Sequence, residues 1–448
     1  MYDLIVIGAG PGGYEAAAHA GQMGKKVALV EEKHTGGTCL NVGCIPTKTF
    51  LKASKLYADC KRASEFGLSV QGAALDMAAL LKRKTSVVDT LTKGVAGLLK
   101  RSKVETIEGH GQFVSSQAVS VNGKTYEAKN ILIATGSKPA VPPIPGIDCE
   151  SVLDSTGVLD LTAVPKRIAI IGGGYIGLEF ASFFSEVGSE VTVVEMLPQV
   201  ATGCDGEVSK RLLQAVRKSG VDVKLSSKVT RIDAGGLHYE DENGEAGKVA
   251  ADCILNSTGR APVVDNLGLD EAGVDYGPKG IRTSDQGKTN VPGVWACGDV
   301  TGRCLLAHAA TREGLVAVNN MFGGSERIRY RAIPAVIFTH PEVAAVGATE
   351  EQLREEGTPY RKSTVPMGVA GRFLIENPGG SGFVKVLAGE KYGEILGVHA
   401  VGDGSSEFIM AAAAMVETEM RAADVREIVF PHPTVSEALK EAIVQAAS

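Results

Sequence analysis

The sequence lacks the long apolar runs and the basic excess that would associate the chain with a membrane or with nucleic acid. No apolar stretch approaches the about 18 residues that a membrane-spanning helix requires. Lysine and arginine number 46 against 52 aspartates and glutamates, so the net charge is −6 and no basic footprint is present. The first residues contain neither a basic leader nor a small-residue cleavage site, so we expect no signal peptide.

Cysteine is scarce, and most of it is scattered along the chain. Of eight cysteines, only Cys39 and Cys44 form a close pair. Zinc sites usually combine two such pairs, each with members about two to four residues apart, so the sequence predicts no metal site. Single, scattered cysteines are typical of a reducing compartment. We therefore expect a cytoplasmic protein that uses one cysteine pair for chemistry.

Two interpretations of the cysteine pair remain. Both thiols could be small core residues, or they could form a redox-active disulfide. In a regular helix Cys39 and Cys44 would have Cα atoms roughly 8.6 Å apart, whereas a disulfide needs less than about 7 Å. The redox interpretation therefore predicts a distortion at Gly43 or Pro46. Lys48 would favour the thiolate form of Cys44 if the helix is regular from there, which favours the redox interpretation.

A glycine-rich motif occurs twice, each time between a strand pattern and a helix pattern. In both copies an acidic residue ends the next strand, at the same distance from the third glycine. The first copy consists of Gly8, Gly10, Gly13 and Glu31, and the second of Gly172, Gly174, Gly177 and Glu195. Such glycines let the backbone approach a pyrophosphate at a helix N-terminus, and the acid accepts hydrogen bonds from ribose. Two copies with equal spacing predict two dinucleotide sites.

The chain length and the order of patterns predict an α/β protein of several domains. We expect two Rossmann-like dinucleotide-binding domains and a C-terminal α+β domain, in which strand-like and helix-like runs alternate. The first domain is predicted at residues 1–140, up to a proline-rich linker, and the second at 141–262. Residues 263–330 are predicted to return to the first domain, and residues 331–448 to form the C-terminal domain.

A histidine near the end of the sequence stands on a stiff loop. His432 lies between two prolines and so cannot occupy a helix interior. The following Thr434 to Glu437 reads as a capping box, which gives Glu437 a structural role as the third residue of a helix. From these residues alone, Glu437 is better explained as a cap than as a catalytic partner of His432. Another histidine, His340, is predicted to be structural because no acid stands beside it in the sequence.

The segment Gly36 to Lys48, Gly-Gly-Thr-Cys-Leu-Asn-Val-Gly-Cys-Ile-Pro-Thr-Lys, resembles the redox-active disulfide segment of the pyridine nucleotide-disulfide oxidoreductases. Its Ile-Pro-Thr-Lys ending is most similar to the dihydrolipoamide dehydrogenase branch, since glutathione reductases usually have a second lysine where Thr47 stands. The resemblance extends over nearly the whole chain. It implies that Cys39 exchanges with a substrate dithiol and that Cys44 lies against a flavin.

The same resemblance implies FAD at the first glycine motif and NAD at the second. It also implies further cofactor contacts in stretches that match the family, namely Thr135, Gly136, Gly259, Asp299 and Ala307. Lys48 is expected to pair with Glu179 near the flavin, where the pair would tune the flavin's electronics. Cys297, which stands where the family usually has an aliphatic residue, is expected to be a buried thiol without redox function.

For the C-terminal region the resemblance changes the interpretation of Glu437. His-Pro-Thr-x-x-Glu carries the family's acid–base histidine and the carboxylate that orients it, here His432 and Glu437. The C-terminal domain is expected to form a homodimer in which each active site combines the cysteines of one chain with His432 of the other.

The implied reaction is oxidation of dihydrolipoyl groups by NAD⁺. The expected partners are lipoyl-bearing proteins of 2-oxo acid dehydrogenase or glycine cleavage complexes. The alternatives are a related NAD(P)H-dependent disulfide reductase, a mercuric-reductase-like enzyme or a non-catalytic flavoprotein. Mercuric reductases usually have a C-terminal cysteine pair, which this sequence lacks.

Overall fold

The computed structural model describes residues 1–447, and within them the chain forms α-helices and β-strands in a mixed α/β arrangement. No helix in this described part is both long enough and apolar enough to cross a membrane. The helices are α1 (Pro11–Gln22), α2 (Gly37–Val42), α3 (Cys44–Lys61), α4 (Met77–Arg101), α5 (Tyr175–Val187), α6 (Gly206–Lys218), α7 (Leu269–Ala272), α8 (Ala307–Met321), α9 (Glu350–Glu355), α10 (Gly371–Glu376), α11 (Ser405–Glu417), α12 (Ala422–Arg426) and α13 (Glu437–Ala446).

The strands are mostly short. In chain order they are β1 (Tyr2–Ile7), β2 (Val27–Glu31), β3 (Glu105–Glu108), β4 (Gly111–Ser115), β5 (Ala118–Val121), β6 (Lys124–Ile133), β7 (Ser137–Pro139), β8 (Val152–Leu153), β9 (Arg167–Ile171), β10 (Glu190–Val194), β11 (Asp222–Lys224), β12 (Lys228–Asp233), β13 (Gly236–Glu240), β14 (Ala246–Val249), β15 (Cys253–Asn256), β16 (Arg260–Pro262), β17 (Tyr276–Gly277), β18 (Gly280–Ile281), β19 (Val294–Ala296), β20 (Ala335–Ile337), β21 (Val343–Gly347), β22 (Tyr360–Pro366), β23 (Phe383–Gly389) and β24 (Ile395–Val401).

The chain folds into two compact units, each built from three separate stretches of sequence. The first unit contains Met1–Thr49, Leu81–Ala140 and Gly259–Tyr330. The second contains Phe50–Leu80, Val141–Thr258 and the chain from Arg331 onward. The chain therefore leaves the first unit and returns to it twice.

The first unit is organised around a sheet with the order β3-β2-β1-β6-β5-β4, to which β19 adds beside β6. The long strand β6 serves two partners: its first half forms a hairpin with β5, and its second half runs parallel to β1 and β19. The pairing aligns Ile133 with both Ile7 and Ala296, so these three strands end at one edge. Ligands of open parallel sheets bind at such carboxyl ends.

The second unit contains a parallel sheet, β11-β10-β9-β15-β8, and an antiparallel sheet, β20-β21-β24-β23-β22. Strands β9 and β10 read Arg-Ile-Ala-Ile-Ile and Glu-Val-Thr-Val-Val, and the helix α5 between them buries most of its side chains. The antiparallel sheet is covered by α11 and α13, whose apolar faces join it in one core. The expected fold class, with two Rossmann-like arrangements and a C-terminal α+β region, is confirmed.

Candidate functional site

The cysteine pair forms a disulfide at a break between two helices. Helix α2 ends at Val42, Gly43 leaves helical geometry with φ −138° and ψ −109°, and α3 begins at Cys44. The break brings the Cα atoms of Cys39 and Cys44 to 4.7 Å, and their sulfurs are bonded. A Cβ on Gly43 would lie 2.9 Å from the carbonyl oxygen of Thr38, so only glycine fits. The expected distortion is therefore at Gly43, while Pro46 lies in the first turn of α3.

The first glycine motif forms a cradle at the carboxyl end of β1. Gly8 has φ +102°, and a Cβ there would lie 2.4 Å from the oxygen of Ala134. Gly13 packs so closely that its Cβ would meet the Gly8 oxygen at 1.9 Å. By contrast, an added Cβ on Gly10 would meet no described atom within 4 Å, and α1 begins there without a side-chain cap from the described residues. Such an open helix N-terminus suits a pyrophosphate.

The carboxylate of Glu31 closes this cradle from the end of β2. Its Oε2 accepts the backbone N–H of Ala9 at 2.7 Å, and its Oε1 accepts that of Lys33 at 2.8 Å. The backbone N–H of Gly36 donates to the Ala9 oxygen at 2.8 Å. Glu31 therefore lies directly beside the glycine loop, where a bound dinucleotide would present its ribose.

The second glycine motif repeats this construction in the other unit. Gly172 also has φ +102°, and Gly174 is as open as Gly10. Glu195 accepts the N–H of Gly173 with Oε2 at 2.6 Å, and Ala201 donates its N–H to the Gly173 oxygen at 2.8 Å. A Cβ on Gly177 would meet the Gly172 oxygen at 2.1 Å, as Gly13 does with Gly8. Both copies thus fit a dinucleotide, by the same backbone geometry.

Three chain segments meet at the sheet edge of the first unit. Thr135 and Gly136 follow β6, and Thr135 Oγ1 donates to the oxygen of Val263 at 2.7 Å. Asp299 lies in a 3₁₀ turn, Gly298–Thr301, just after β19. Because β6 pairs with both β1 and β19, these residues and Gly8 lie at the same edge. A dinucleotide bound at the first cradle would extend along this edge.

Two residues that sequence reasoning missed hold the Asp299 side chain. Ser137 Oγ donates to Asp299 Oδ2 at 2.5 Å, and Arg260 Nε donates to the same hydroxyl at 2.6 Å. Arg260 also lies 3.7 Å from the Asp299 carboxylate. The predicted Gly259 has φ +139° and accepts the N–H of Ala140, which fixes the approach of Arg260.

The other predicted cofactor residues are distributed between the two units. Ala307 is the first residue of α8, and Lys48 lies in the second turn of α3, both in the first unit. Glu179 lies in α5 of the second unit, is 5% exposed and accepts the N–H of Phe338 at 3.0 Å. Cys297 is buried as expected, and burial raises the pKa of its thiol well above the usual range.

His432 and Glu437 are in contact ahead of α13. His432 Nδ1 lies 2.8 Å from Glu437 Oε1, and the imidazole is 77% exposed. The backbone N–H of Thr434 donates to the other oxygen, Oε2, at 3.0 Å. The pKa of Glu437 is lowered, mainly by the hydrogen bond from His432 and to a smaller extent by that from the Thr434 N–H. The carboxylate therefore stays ionised and orients the ring, which leaves Nε2 as the nitrogen available for proton transfer.

The expected capping box is only half formed. Helix α13 begins at Glu437 itself, and the Thr434 hydroxyl donates to the oxygen of Pro431 at 2.8 Å instead of capping the helix. Glu437 is therefore not the third residue of the helix, as predicted, although its Oε2 still accepts the Thr434 N–H while its Oε1 contacts His432.

The expectation that His340 has no acid partner is wrong. His340 Nδ1 lies 3.0 Å from Asp403 Oδ2, and Lys55 contacts both side chains. The hydrogen bond to Asp403 raises the pKa of His340. Asp403 precedes α11 and is distant from His340 in sequence, which is why no local pattern revealed the pair.

Comparison with known proteins agrees with this geometry. The family model described as pyridine nucleotide-disulphide oxidoreductase matches residues 2–314, and the dimerisation domain of the same family matches residues 333–443. A mitochondrial dihydrolipoyl dehydrogenase of Dictyostelium discoideum is 40% identical over 99% of this chain and 94% of its own length. Dihydrolipoyl dehydrogenase 3 of Pseudomonas putida is 41% identical over 98% of this chain and 97% of its own length.

Solved structures with similar folds include two bacterial proteins. LpdA from Mycobacterium tuberculosis superposes with a TM-score of 0.90 at 26% identity, and the match covers 99% of each chain. The HOCl-induced flavoprotein disulfide reductase RclA from Escherichia coli gives a TM-score of 0.87 at 29% identity, again over 99% of each chain. With both family models matched and its relatives aligned over nearly their whole length, the chain belongs to the pyridine nucleotide-disulphide oxidoreductase family.

Proposed function

We propose that the protein is an NAD⁺-dependent dihydrolipoyl dehydrogenase, which oxidises the dihydrolipoyl groups of carrier proteins to lipoyl groups. The observation that carries the proposal is the Cys39–Cys44 disulfide, formed at a helix break directly after the first dinucleotide cradle. Relatives about 40% identical over the whole chain bear the name dihydrolipoyl dehydrogenase, which supports this substrate class.

The cofactors proposed are FAD at the first cradle and NAD⁺ at the second. Bound FAD supplies an electron relay between the cysteine pair and NAD⁺. The proposed FAD contacts are Gly8, Gly10, Gly13, Glu31, Lys48, Thr135, Gly136, Gly259, Asp299 and Ala307, with Glu179 as the partner of Lys48. The proposed NAD⁺ contacts are Gly172, Gly174, Gly177 and Glu195. Accordingly, residues 1–140 and 263–330 form the FAD domain, residues 141–262 the NAD domain and residues 331–448 the dimerisation domain.

The residues of this chain perform the thiol chemistry. His432 Nε2 takes the proton of one dihydrolipoyl thiol while Glu437 holds Nδ1. The resulting thiolate attacks Cys39 Sγ, which breaks the Cys39–Cys44 bond and forms a mixed disulfide with Cys39. The second substrate thiol then displaces Cys39 from the mixed disulfide and gives its proton to the departing Cys39 sulfur, so the substrate leaves as a cyclic disulfide and the two cysteines remain reduced. Two electrons have passed from the substrate to the cysteine pair.

A side-by-side assay tests this substrate assignment. Purified protein is given dihydrolipoamide with NAD⁺ and, separately, NADH or NADPH with glutathione disulfide, thioredoxin or Hg²⁺. We expect dithiol-dependent NAD⁺ reduction that far exceeds the other activities and is abolished in Cys39→Ser. The similarity to the disulfide reductase RclA makes reduction of another disulfide the second candidate. Faster use of one of the other acceptors would favour it, and the absence of all activities would favour a non-catalytic flavoprotein.

We further propose that the protein works as a cytoplasmic homodimer and serves lipoyl-bearing proteins of 2-oxo acid dehydrogenase or glycine cleavage complexes. In the dimer, His432 and Glu437 of one subunit act on the cysteine pair of the partner. The match of residues 333–443 to the family's dimerisation domain supports the dimer. The exposure of the His432 ring, at 77%, supports a role toward another molecule rather than within its own domain.

Mixed dimers test the shared site. His432→Ala and Cys44→Ser chains, each inactive alone, are co-expressed with different tags and purified as the doubly tagged, FAD-loaded dimer. If sites are shared, one site of the mixed dimer is intact and the other has both lesions. Activity should then return to roughly half the wild-type value, since losing a general base costs about 10²–10⁴-fold. No recovery would refute the shared site but leave the dithiol chemistry in place.

A further inference from the structure

One buried carboxylate in the first unit has no role in the chemistry described so far. Glu313 lies on α8 and is 2% exposed. Its Oε2 accepts the backbone N–H of Gly298 at 2.5 Å, and its Oε1 accepts the hydroxyl of Tyr330 at 2.9 Å. The Arg303 guanidinium lies over the Tyr330 ring, 4.2 Å from its centroid. Both carboxylate oxygens are therefore held, and the side chain has a fixed orientation.

Gly298 opens the turn that carries Asp299. It has φ +77°, and a Cβ there would lie 3.1 Å from that of Ala310 on α8. The turn follows β19 and so lies at the sheet edge that also holds Gly8. Ser137 fixes the Asp299 side chain at this edge, but the backbone of the turn is held by Glu313.

Helix α8 is itself held tightly against the first glycine cradle. A Cβ on Gly314, the residue after Glu313, would meet the backbone oxygen of Gly12 at 2.5 Å. A Cβ on Gly12 would meet the Ala310 oxygen at 2.9 Å. The backbones of α1 and α8 are thus in direct contact, which places Glu313 at a fixed distance from the N-terminus of α1. A bond from Glu313 to the Asp299 turn therefore sets the position of that turn relative to the cradle.

We propose that Glu313 is a positioning residue for FAD: through the Gly298 N–H it holds the turn that presents Asp299 to the cofactor. The inference rests on the proposed binding of FAD at the first cradle. Without the carboxylate, the Gly298 N–H would be left buried and unpaired, and the turn would move to find another acceptor. Asp299 would then lose its alignment with FAD even though its own side chain is unchanged.

The rate of FAD release from the purified holoprotein tests the proposal. It is measured as the recovery of flavin fluorescence after dilution, at a temperature well below unfolding. Glu313→Leu keeps most of the side-chain volume but removes both acceptors. Glu313→Gln keeps an oxygen for the Gly298 N–H and offers an N–H to the Tyr330 hydroxyl. Glu271→Gln, an exposed carboxylate of the same unit, is the control. We expect release about ten-fold faster in Glu313→Leu, equivalent to about 1.4 kcal/mol, and close to wild type in the Gln variants.

A packing role would give a different result. The proposal is wrong if Glu313→Leu releases FAD at the wild-type rate. It is also wrong if Glu313→Leu and Glu313→Gln release FAD equally fast and both have lower unfolding midpoints to a matching extent. If Glu313→Leu does not fold, Tyr330→Phe decides, because it removes one orienting donor and leaves Glu313 in place. Release about three-fold faster supports the proposal, and unchanged release overturns it. The assay uses no dithiol, so its failure and that of the proposed reaction are distinguishable.

Discussion

A buried lysine offers the sharpest test of how the second unit is held together. Lys385 lies on β23, between two neighbouring strands, and is 0% exposed. Its ammonium contacts Asp205 Oδ2 at 2.9 Å and Glu350 Oε2 at 2.5 Å. Asp205 is also 0% exposed and caps α6 through the N–H of Glu207. Replacing Lys385 by methionine keeps most of the volume but removes the ammonium from the buried Asp205 and takes one of three cations from Glu350, which keeps Lys362 and Arg354.

The expected loss of unfolding free energy in Lys385→Met follows from the burial of the carboxylates that Lys385 contacts. Breaking a buried ion pair by removing one member costs about 3–5 kcal/mol, because the remaining charge stays desolvated. The matched control is Lys362→Met: Lys362 contacts the same Glu350 oxygen at 3.3 Å, but its side chain is 37% exposed. An exposed pair of this kind contributes about 0–1 kcal/mol. We therefore expect Lys385→Met to lower the free energy of unfolding several times more than Lys362→Met.

The pH dependence gives a second signature. Burial alone would raise the pKa of Glu350, but the hydrogen bonds from Lys385, Tyr360 and Lys362, with that from Lys385 the largest, together lower it to about 2. The pKa of Asp205 is lowered by Lys385 against the same opposing effect of burial. In the wild type these carboxylates add stability above their unfolded pKa of about 4, which is lost as the pH falls. In Lys385→Met the main effect that opposes burial is lost, so both pKa values rise and protonation at lower pH relieves part of the cost of burying these carboxylates.

Urea unfolding followed by circular dichroism measures both signatures. Between about pH 8 and about pH 5 the stability difference between wild type and Lys385→Met should shrink, whereas that of Lys362→Met should stay small. An equal cost for the two variants, or a Lys385→Met deficit that grows on acidification, would refute the reasoning about buried charge.

Three further predictions concern the site and its surroundings. Because the Glu195 carboxylate would repel a 2′-phosphate, kcat/KM should favour NAD⁺ over NADP⁺, and equal use of both would contradict this. Anaerobic two-electron reduction should produce a long-wavelength absorbance that Cys44→Ser removes and Cys39→Ser retains; a band that survives Cys44→Ser would mean that the thiol roles are reversed. Asp403→Asn should lower the free energy of unfolding by roughly 1–3 kcal/mol. The cost should be larger at about pH 6 than at about pH 9. The pKa of His340 is raised in the folded protein, so protonated His340 adds stability at low pH, and this stability is lost as the pH rises through the folded pKa. A cost independent of pH, in urea titrations, would exclude this contribution of the pair.

The parts of the site that are built from residues close together in the sequence could be predicted from the sequence. The break between α2 and α3 could be predicted because a regular helix would hold Cys39 and Cys44 too far apart for a disulfide, and Gly43 supplied the flexible position. The glycine cradles were predictable for the same reason, since their steric demands involve a strand, a turn and a helix in succession. The His432–Glu437 contact is also local, five residues apart, but it was expected only from the family resemblance, because the local residues alone favoured a cap.

Contacts between distant segments left no comparable signal. Lys385 and Asp205 are 180 residues apart, and Arg260 is 123 residues from Ser137. A lysine within an apolar strand such as β23 reads as an exposed residue, because lysine is rarely buried without a partner. Lys385 can be buried only because β23 pairs with both β22 and β24 and because Asp205, the cap of α6, contacts its ammonium. The same holds for His340, whose acid partner comes from the start of a separate helix.

The internal repeat explains why one cradle carries a redox pair and the other does not. Gly36 and Ala201 each donate their N–H to the second residue of their own glycine motif, and a cysteine follows each of them by three residues, Cys39 and Cys204. Five residues further along, the first copy has Cys44, whereas the second has Ser209, whose hydroxyl donates to a backbone oxygen at 2.7 Å. Burial raises the pKa of Cys204, so this thiol is held in its unreactive form. Disulfide chemistry therefore needs the second cysteine and the helix break of the first copy, which the shared backbone cradle alone does not provide.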